Sequence, residues 1–228
     1  SSSASITSLN VATGSAINVN NGTLATTGAS DVAEMMLNGT LSGPGIMTIR
    51  KTSIIGGTMS GSGSTILASD GSHTLSGAYQ YLRSGRTLRN DGQLVVGATT
   101  NDVKLYMDGS NGGIAKTRLV NQGEMVFQGS KNTYIYQNSG NPDAELENNG
   151  KLIKRDSGYT GIGVKLINNG QIIVDSGSTL ALSSNSIHSG SASFSGRVVL
   201  SGGTHSFADG FSASGLTEVG GGTVDVSS

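Results

Sequence analysis

The pattern Leu-x-Asn-x-Gly-x-apolar-x-apolar recurs through the middle of this chain. A recurring pattern constrains the fold more than any single residue can. It occurs at residues 88–96 (LRNDGQLVV), 119–127 (LVNQGEMVF), 146–154 (LENNGKLIK, weakened at its end) and 166–174 (LINNGQIIV). Apolar residues two apart on either side of Asn-x-Gly describe two short strands meeting at a corner. Side chains alternate across a strand, so Leu94 and Val96, Met125 and Phe127, and Ile172 and Val174 are expected to point inward and stack on one another. The glycines Gly92, Gly123, Gly150 and Gly170 are expected to supply positive φ at the corner. Asn90, Asn121, Asn148 and Asn168 share one register and are expected to stack as an amide ladder.

Other versions of the corner flank this one. Thr40-Leu41-Ser42-Gly43, Thr58-Met59-Ser60-Gly61 and Thr74-Leu75-Ser76-Gly77 repeat in the first third, preceded by Asn21-Gly22-Thr23-Leu24. Thr23, Thr40, Thr58 and Thr74 are thereby expected to form one column. Near the end, Gly202-Gly203-Thr204-His205-Ser206-Phe207 aligns with Gly221-Gly222-Thr223-Val224-Asp225-Val226. A period of about 17–20 residues with β-type alternation is the signature of a parallel β-solenoid, in which one coil cannot bury its apolar row until neighbours stack on it. The expected fold is all-β, a parallel β-helix of roughly ten or eleven coils at about 20 residues each. It would form a single domain over residues 1–228, with loops inserted near 101–116 and 131–144 where the interval between motifs lengthens. Residues 31–37 (DVAEMML) read either as a short helical cap or as a strand with Met35 and Leu37 inside.

Composition agrees with a thin, repetitive core. Glycine supplies 36 of 228 residues, and hydrophobic residues make up 35%, below the usual share for a domain with one thick core. With 14 basic and 15 acidic residues the net charge is −1, which does not provide the basic face that nucleic acid requires. No cysteine is present, so disulfides, thiolate metal sites and a cysteine nucleophile are excluded. No apolar run approaches the ~20 residues of a membrane helix, so no membrane insertion is expected.

The runs Thr40-Leu41-Ser42-Gly43-Pro44-Gly45, 56–68 (GGTMSGSGSTILA), 86–96 (RTLRNDGQLVV), 166–174 (LINNGQIIV) and 201–207 (SGGTHSF) carry a family resemblance. The chain resembles the large secreted bacterial surface proteins built from right-handed parallel β-helix repeats. It is similar to adhesin stalks, filamentous-haemagglutinin-like proteins and autotransporter passengers. The resemblance implies an extracellular or cell-surface location and a structural role as a stalk or filament subunit. Its expected partners are further copies of itself or neighbouring domains of a longer chain.

Chemistry is sparse in comparison. Parallel β-helices also include polysaccharide lyases and hydrolases, which need clustered carboxylates. Here the densest acidic set is Asp143, Glu145 and Glu147, and both glutamates are expected to face solvent. The stretch 108–113 (DGSNGG) lacks the alternating ligands of a calcium loop. His73, His188 and His205 are not at ligand spacing, and His73 and His205 are expected to be exposed. No catalytic residue, metal site or cofactor is therefore expected. The most functional-looking stretch is 79–89 (YQYLRSGRTLR), where Tyr79, Tyr81, Arg83 and Arg86 combine rings that stack on sugars with forks that pair with acidic groups. Tyr106, Tyr134, Tyr136 and Tyr159 fall in or near the expected insertions and would extend it into a ridge. This ridge is the candidate contact surface for a surface polysaccharide or another partner.

Overall fold

A computed structural model describes residues 2–108, 115–138, 144–208 and 215–226, and within them it is built of β-strands with no helix. Two long sheets result, one of 11 strands and one of 17. Strand pairing is parallel throughout, from Ser3–Ile6 on Thr23–Thr26 to Thr204–Phe207 on Thr223–Val226. Each strand bonds to the equivalent strand of the next repeat, as a parallel β-helix requires. Residues 31–37 belong to the strand Ser30–Leu37, with Met35 and Leu37 buried.

The larger sheet holds two ladders that share their first strands. Asn10–Val19, Ser30–Leu37 and Ile46–Ile55 run through both. From there the chain breaks at the corner into strand pairs: Ser64–Leu67 with Ser72–Leu75, then Thr87–Asn90 with Gln93–Val96, and onward. The recurring Asn-x-Gly is this break. Its glycines do not have positive φ, contrary to expectation. They are required instead by close approach. A Cβ on Gly123 would collide with the Gly92 carbonyl oxygen, one on Gly150 with that of Gly123, and one on Gly170 with that of Gly150.

The expected amide ladder is present. Asn90 Nδ2 donates to Asn121 Oδ1 at 2.8 Å, Asn121 to Asn148 at 2.7 Å, and Asn148 to Asn168 at 2.7 Å. Each donor also reaches a backbone carbonyl, those of Glu124, Lys151 and Gln171. All four side chains are buried, where an unmade hydrogen bond costs about 1–3 kcal/mol. In register the ladder is bracketed by Leu67 and His188. The outermost amide atoms, Asn90 Oδ1 and Asn168 Nδ2, have no partner.

Inside the second ladder, Leu94, Met125, Leu152 and Ile172 stack in register, as do Val96, Phe127, Lys154 and Val174. Lys154 is the irregular member of its column, fully buried with its ammonium on the carbonyls of Arg155 and Asp156. Burial lowers its pKa.

Two expectations are corrected. Thr23, Thr40 and Thr58 do form one column, but its next member is Tyr81. Thr74 lies in the other sheet, opposite Ile54 and Val95. The stretches read as inserted loops supply two strands of the 11-stranded sheet, Val103–Asp108 and Thr133–Gln137; residues 109–114 and 139–143 lie outside the described residues.

Candidate functional site

Tyr79 and Tyr81 lie on the strand Tyr79–Arg83, Tyr106 on Val103–Asp108, Tyr134 and Tyr136 on Thr133–Gln137, and Tyr159 on Tyr159–Gly163. These are four successive strands of the 11-stranded sheet. On them the residues between the tyrosines, such as Gln80, Leu105 and Ile135, are buried. Alternation therefore turns every tyrosine outward. Register sets Tyr81, Tyr106 and Tyr136 in one row, and Tyr79, Lys104, Tyr134 and Gly161 in the next.

All 6 tyrosines of the chain thus join in one strip. Ring centroids are 5.5 Å apart for Tyr81–Tyr106, 6.3 Å for Tyr79–Tyr106, 5.9 Å for Tyr106–Tyr136, 5.0 Å for Tyr134–Tyr136 and 5.8 Å for Tyr134–Tyr159. Each contact contributes about 0.5–1.5 kcal/mol beyond area burial. Gly161 makes the last one possible, because a Cβ there would stand 3.0 Å from the Tyr159 ring and 3.3 Å from the Tyr134 ring. Burial, then the neighbouring tyrosines, push the Tyr136 phenol above its ordinary value. Burial does the same for Tyr159. Tyr79 and Tyr81 stack on Tyr106, and Tyr134 on Tyr136, at interplanar angles of 10–20°, whereas Tyr106–Tyr136 and Tyr134–Tyr159 are tilted by 36° and 47°.

The arginines divide. The Arg83 guanidinium carbon lies 4.2 Å from the Tyr81 ring centroid, and its Nε is 3.6 Å from Asp108. Lys104 Nζ lies 5.4 Å from the Tyr79 ring centroid. Arg86 is not at the surface, contrary to expectation: it is fully buried. Its Nε donates to Thr65 Oγ1 at 3.0 Å, and its terminal nitrogens donate to the carbonyls of Gly43, Ser60 and Ser64 at 3.1–3.2 Å. Burial lowers its pKa to about 10. Positive φ at Ser84 and Gly85 turns the chain so that Arg86 shares the inward parity of Leu88 and Asn90. That parity was the available sequence signal.

Other ionisable groups are structural. His73 and His205, expected at the surface, are fully buried. His73 Nδ1 pairs with Ser53 Oγ at 3.0 Å, and Ser186 Oγ lies 2.7 Å from His205 Nδ1 and 2.8 Å from His188 Nε2. Burial lowers all three histidine pKa values, that of His188 to about 4. Glu145, also expected in solvent, is 3% exposed. It pairs with Lys116 at 3.0 Å and Arg118 at 2.8 Å, and Arg118 also reaches Glu147 at 2.9 Å. Burial pushes the Glu145 carboxyl up, but these two cations outweigh it and hold it below its ordinary range. Asp143 and most of the 108–113 stretch lie outside the described residues. Among the described residues no three His, Asp or Glu side chains converge as a metal site would require.

One feature escaped the sequence reading. An open trough of about 450 Å³ lies where the Thr23, Thr40 and Thr58 row meets the tyrosines, with Asn38, Tyr79 and Tyr81 also on its walls. Comparison with protein-family models, curated proteins and solved structures returns no match.

Proposed function

We propose that the chain is a non-catalytic structural module of a bacterial surface protein, a stalk or filament segment displayed outside the cell. One observation supports this reading above others: several charged side chains are paired along the axis, coil to coil. Asp31 meets Arg50, Lys51 meets Asp70 at 2.6 Å, Arg155 meets Asp175 at 3.7 Å, and Arg197 meets Glu218 at 2.5 Å. In each pair the partners belong to successive repeats, as they do for Arg118 and Glu145. Exposed pairs of this kind contribute only about 0–1 kcal/mol each. Their use is to hold register, which suits a spacer better than a catalyst. Copies of the same chain, or neighbouring domains of a longer one, are the partners this role calls for.

Electron microscopy of the purified chain over a concentration series tests the filament form of this reading, and rods that lengthen end to end are expected. Isolated particles at every concentration would remove self-assembly. Release of reducing ends or unsaturated products from any polysaccharide would overturn the non-catalytic assignment. A second reading, carbohydrate binding, is favoured by the exposed tyrosines beside the trough.

A further inference from the structure

The tyrosine strip is asymmetric along the axis. On the side of the following repeat, Tyr79 and Tyr81 are covered by Lys104 and Tyr106, their register partners. On the other side, the preceding repeat meets them with Gly56, Gly57 and Thr58, side chains too small to cover a ring. Tyr79 is accordingly 54% exposed. The step from a threonine row to a tyrosine row creates the trough. It spans three strand spacings, roughly 14 Å at ~4.8 Å each. Its floor carries hydroxyls at regular spacing from Thr23, Thr40 and Thr58, with the Asn38 amide beside them. Gly39 and Gly57 keep that floor clear, and each is obligatory because a Cβ would strike the carbonyl of the preceding repeat.

An aromatic face at the end of a row of neutral donors and acceptors suits one ligand class. A sugar ring presents an apolar C–H face to stack on tyrosine and a rim of hydroxyls to exchange hydrogen bonds with threonine and asparagine. Charge disfavours the acidic members of that class, although Lys104 lies over the Tyr79 ring with its Nζ 5.4 Å from the centroid. No charged side chain lines the trough. Arg86 is buried, Arg83 is held by Tyr81 and Asp108, and Arg89 is bound through both its Nε and Nη2 to Asp91 at 2.6 and 2.7 Å. A volume of about 450 Å³ falls within the range of about 300–1,000 Å³ usual for small-ligand sites.

We propose that this trough is a binding site for a neutral oligosaccharide, stacked on Tyr79 and hydrogen-bonded along the Thr23, Thr40 and Thr58 row. It does not depend on the chain being a stalk, since a spacer and an enzyme could both carry it.

The chain has no tryptophan, so tyrosine emission reports directly on the strip. Titration with cellohexaose, mannohexaose and xylohexaose, with tri-galacturonate as the acidic comparison, is expected to give saturable binding to at least one neutral sugar. Tyr79→Ala is expected to weaken it about tenfold or more, the effect of losing a central aromatic contact. Thr40→Val should weaken it severalfold without changing the size of the side chain. Tyr159→Ala, at the far end of the strip, should leave it unchanged. Far-UV circular dichroism confirms the fold of each variant, and Thr40→Val carries the test if Tyr79→Ala unfolds. The proposal is overturned if none of the three neutral sugars binds or if tri-galacturonate binds more tightly than all of them. It is equally overturned if folded Tyr79→Ala, or Thr40→Val where that variant carries the test, binds like the wild type.

Discussion

Arg86 brings a guanidinium into the core where, among the described residues, one hydroxyl and three backbone carbonyls accept its hydrogen bonds and no carboxylate does. Removing it leaves the buried Thr65 hydroxyl and the Ser60 and Ser64 carbonyls without its hydrogen bonds, while the Gly43 carbonyl keeps the Gly63 amide. Arg86→Ala should therefore lower the unfolding free energy by about 3 kcal/mol, read as a fall in the urea midpoint. Lys51→Ala, at an exposed ion pair, should stay within about 0.5 kcal/mol. His188 makes a different demand. Its folded pKa, about 4, lies below the ordinary value of about 6.5. The unfolded chain thus takes up a proton first as pH falls. The stability this group contributes is complete above about pH 6.5 and is lost progressively down to about pH 4, for a total of about 3 kcal/mol. His73 and His205 act in the same direction. Urea midpoints between pH 8 and pH 4 should follow this fall, and His188→Asn should flatten it. That variant also sets an amide acceptor opposite Asn168 Nδ2, which lacks a partner.

At the scale of the corner and its two strands, much was legible in the sequence. Alternation placed Leu94, Met125 and Ile172 inside, and the common register of Asn90, Asn121, Asn148 and Asn168 anticipated their ladder, because a parallel stack puts equal positions on top of one another. The role of the glycines was misread, since close approach between coils leaves no mark in a single repeat. The tyrosine strip was half legible. Tyr79 and Tyr81 announced a surface, but their contact with Tyr106 depends on strand pairing across an uneven interval, and the trough depends on what the preceding repeat lacks. Two substitutions test the corner. Asn121→Ala leaves the Asn90 donor and the Asn148 acceptor facing a gap and should cost about 2–4 kcal/mol. Gly150→Ala forces the coils apart and should cost about 1–3 kcal/mol or more, although alanine is otherwise the better-behaved residue in the unfolded chain. If Gly150→Ala were neutral in a denaturation curve, the spacing at the corner would have to be looser than its contacts imply.

Across the whole molecule, each repeat touches its two neighbours and little else. The core is a set of columns running along the axis and not a central mass. Stability in such an array is a sum of repeat and interface terms, so damage should remain local. The strands differ accordingly. Thr223–Val226 is exposed at every residue, with Val226 70% accessible, whereas Leu94, Leu119 and Leu146 are fully buried. Hydrogen exchange should be fastest in Thr223–Val226 and slowest between Thr87–Asn90 and Gln171–Val174. Leu119 has Leu88 on one side and Leu146 on the other. Truncating it to alanine should cost about 2–5 kcal/mol and raise exchange in those two flanking strands, while Arg197–Leu200, several repeats away, keeps its protection. A uniform rise along the chain would mean that the coils open only together, and the nearest-neighbour description would give way to a single cooperative unit. The local outcome follows from the architecture: among the described residues Leu119 and Arg197–Leu200 are joined through intervening repeats, each bonded to its own two neighbours.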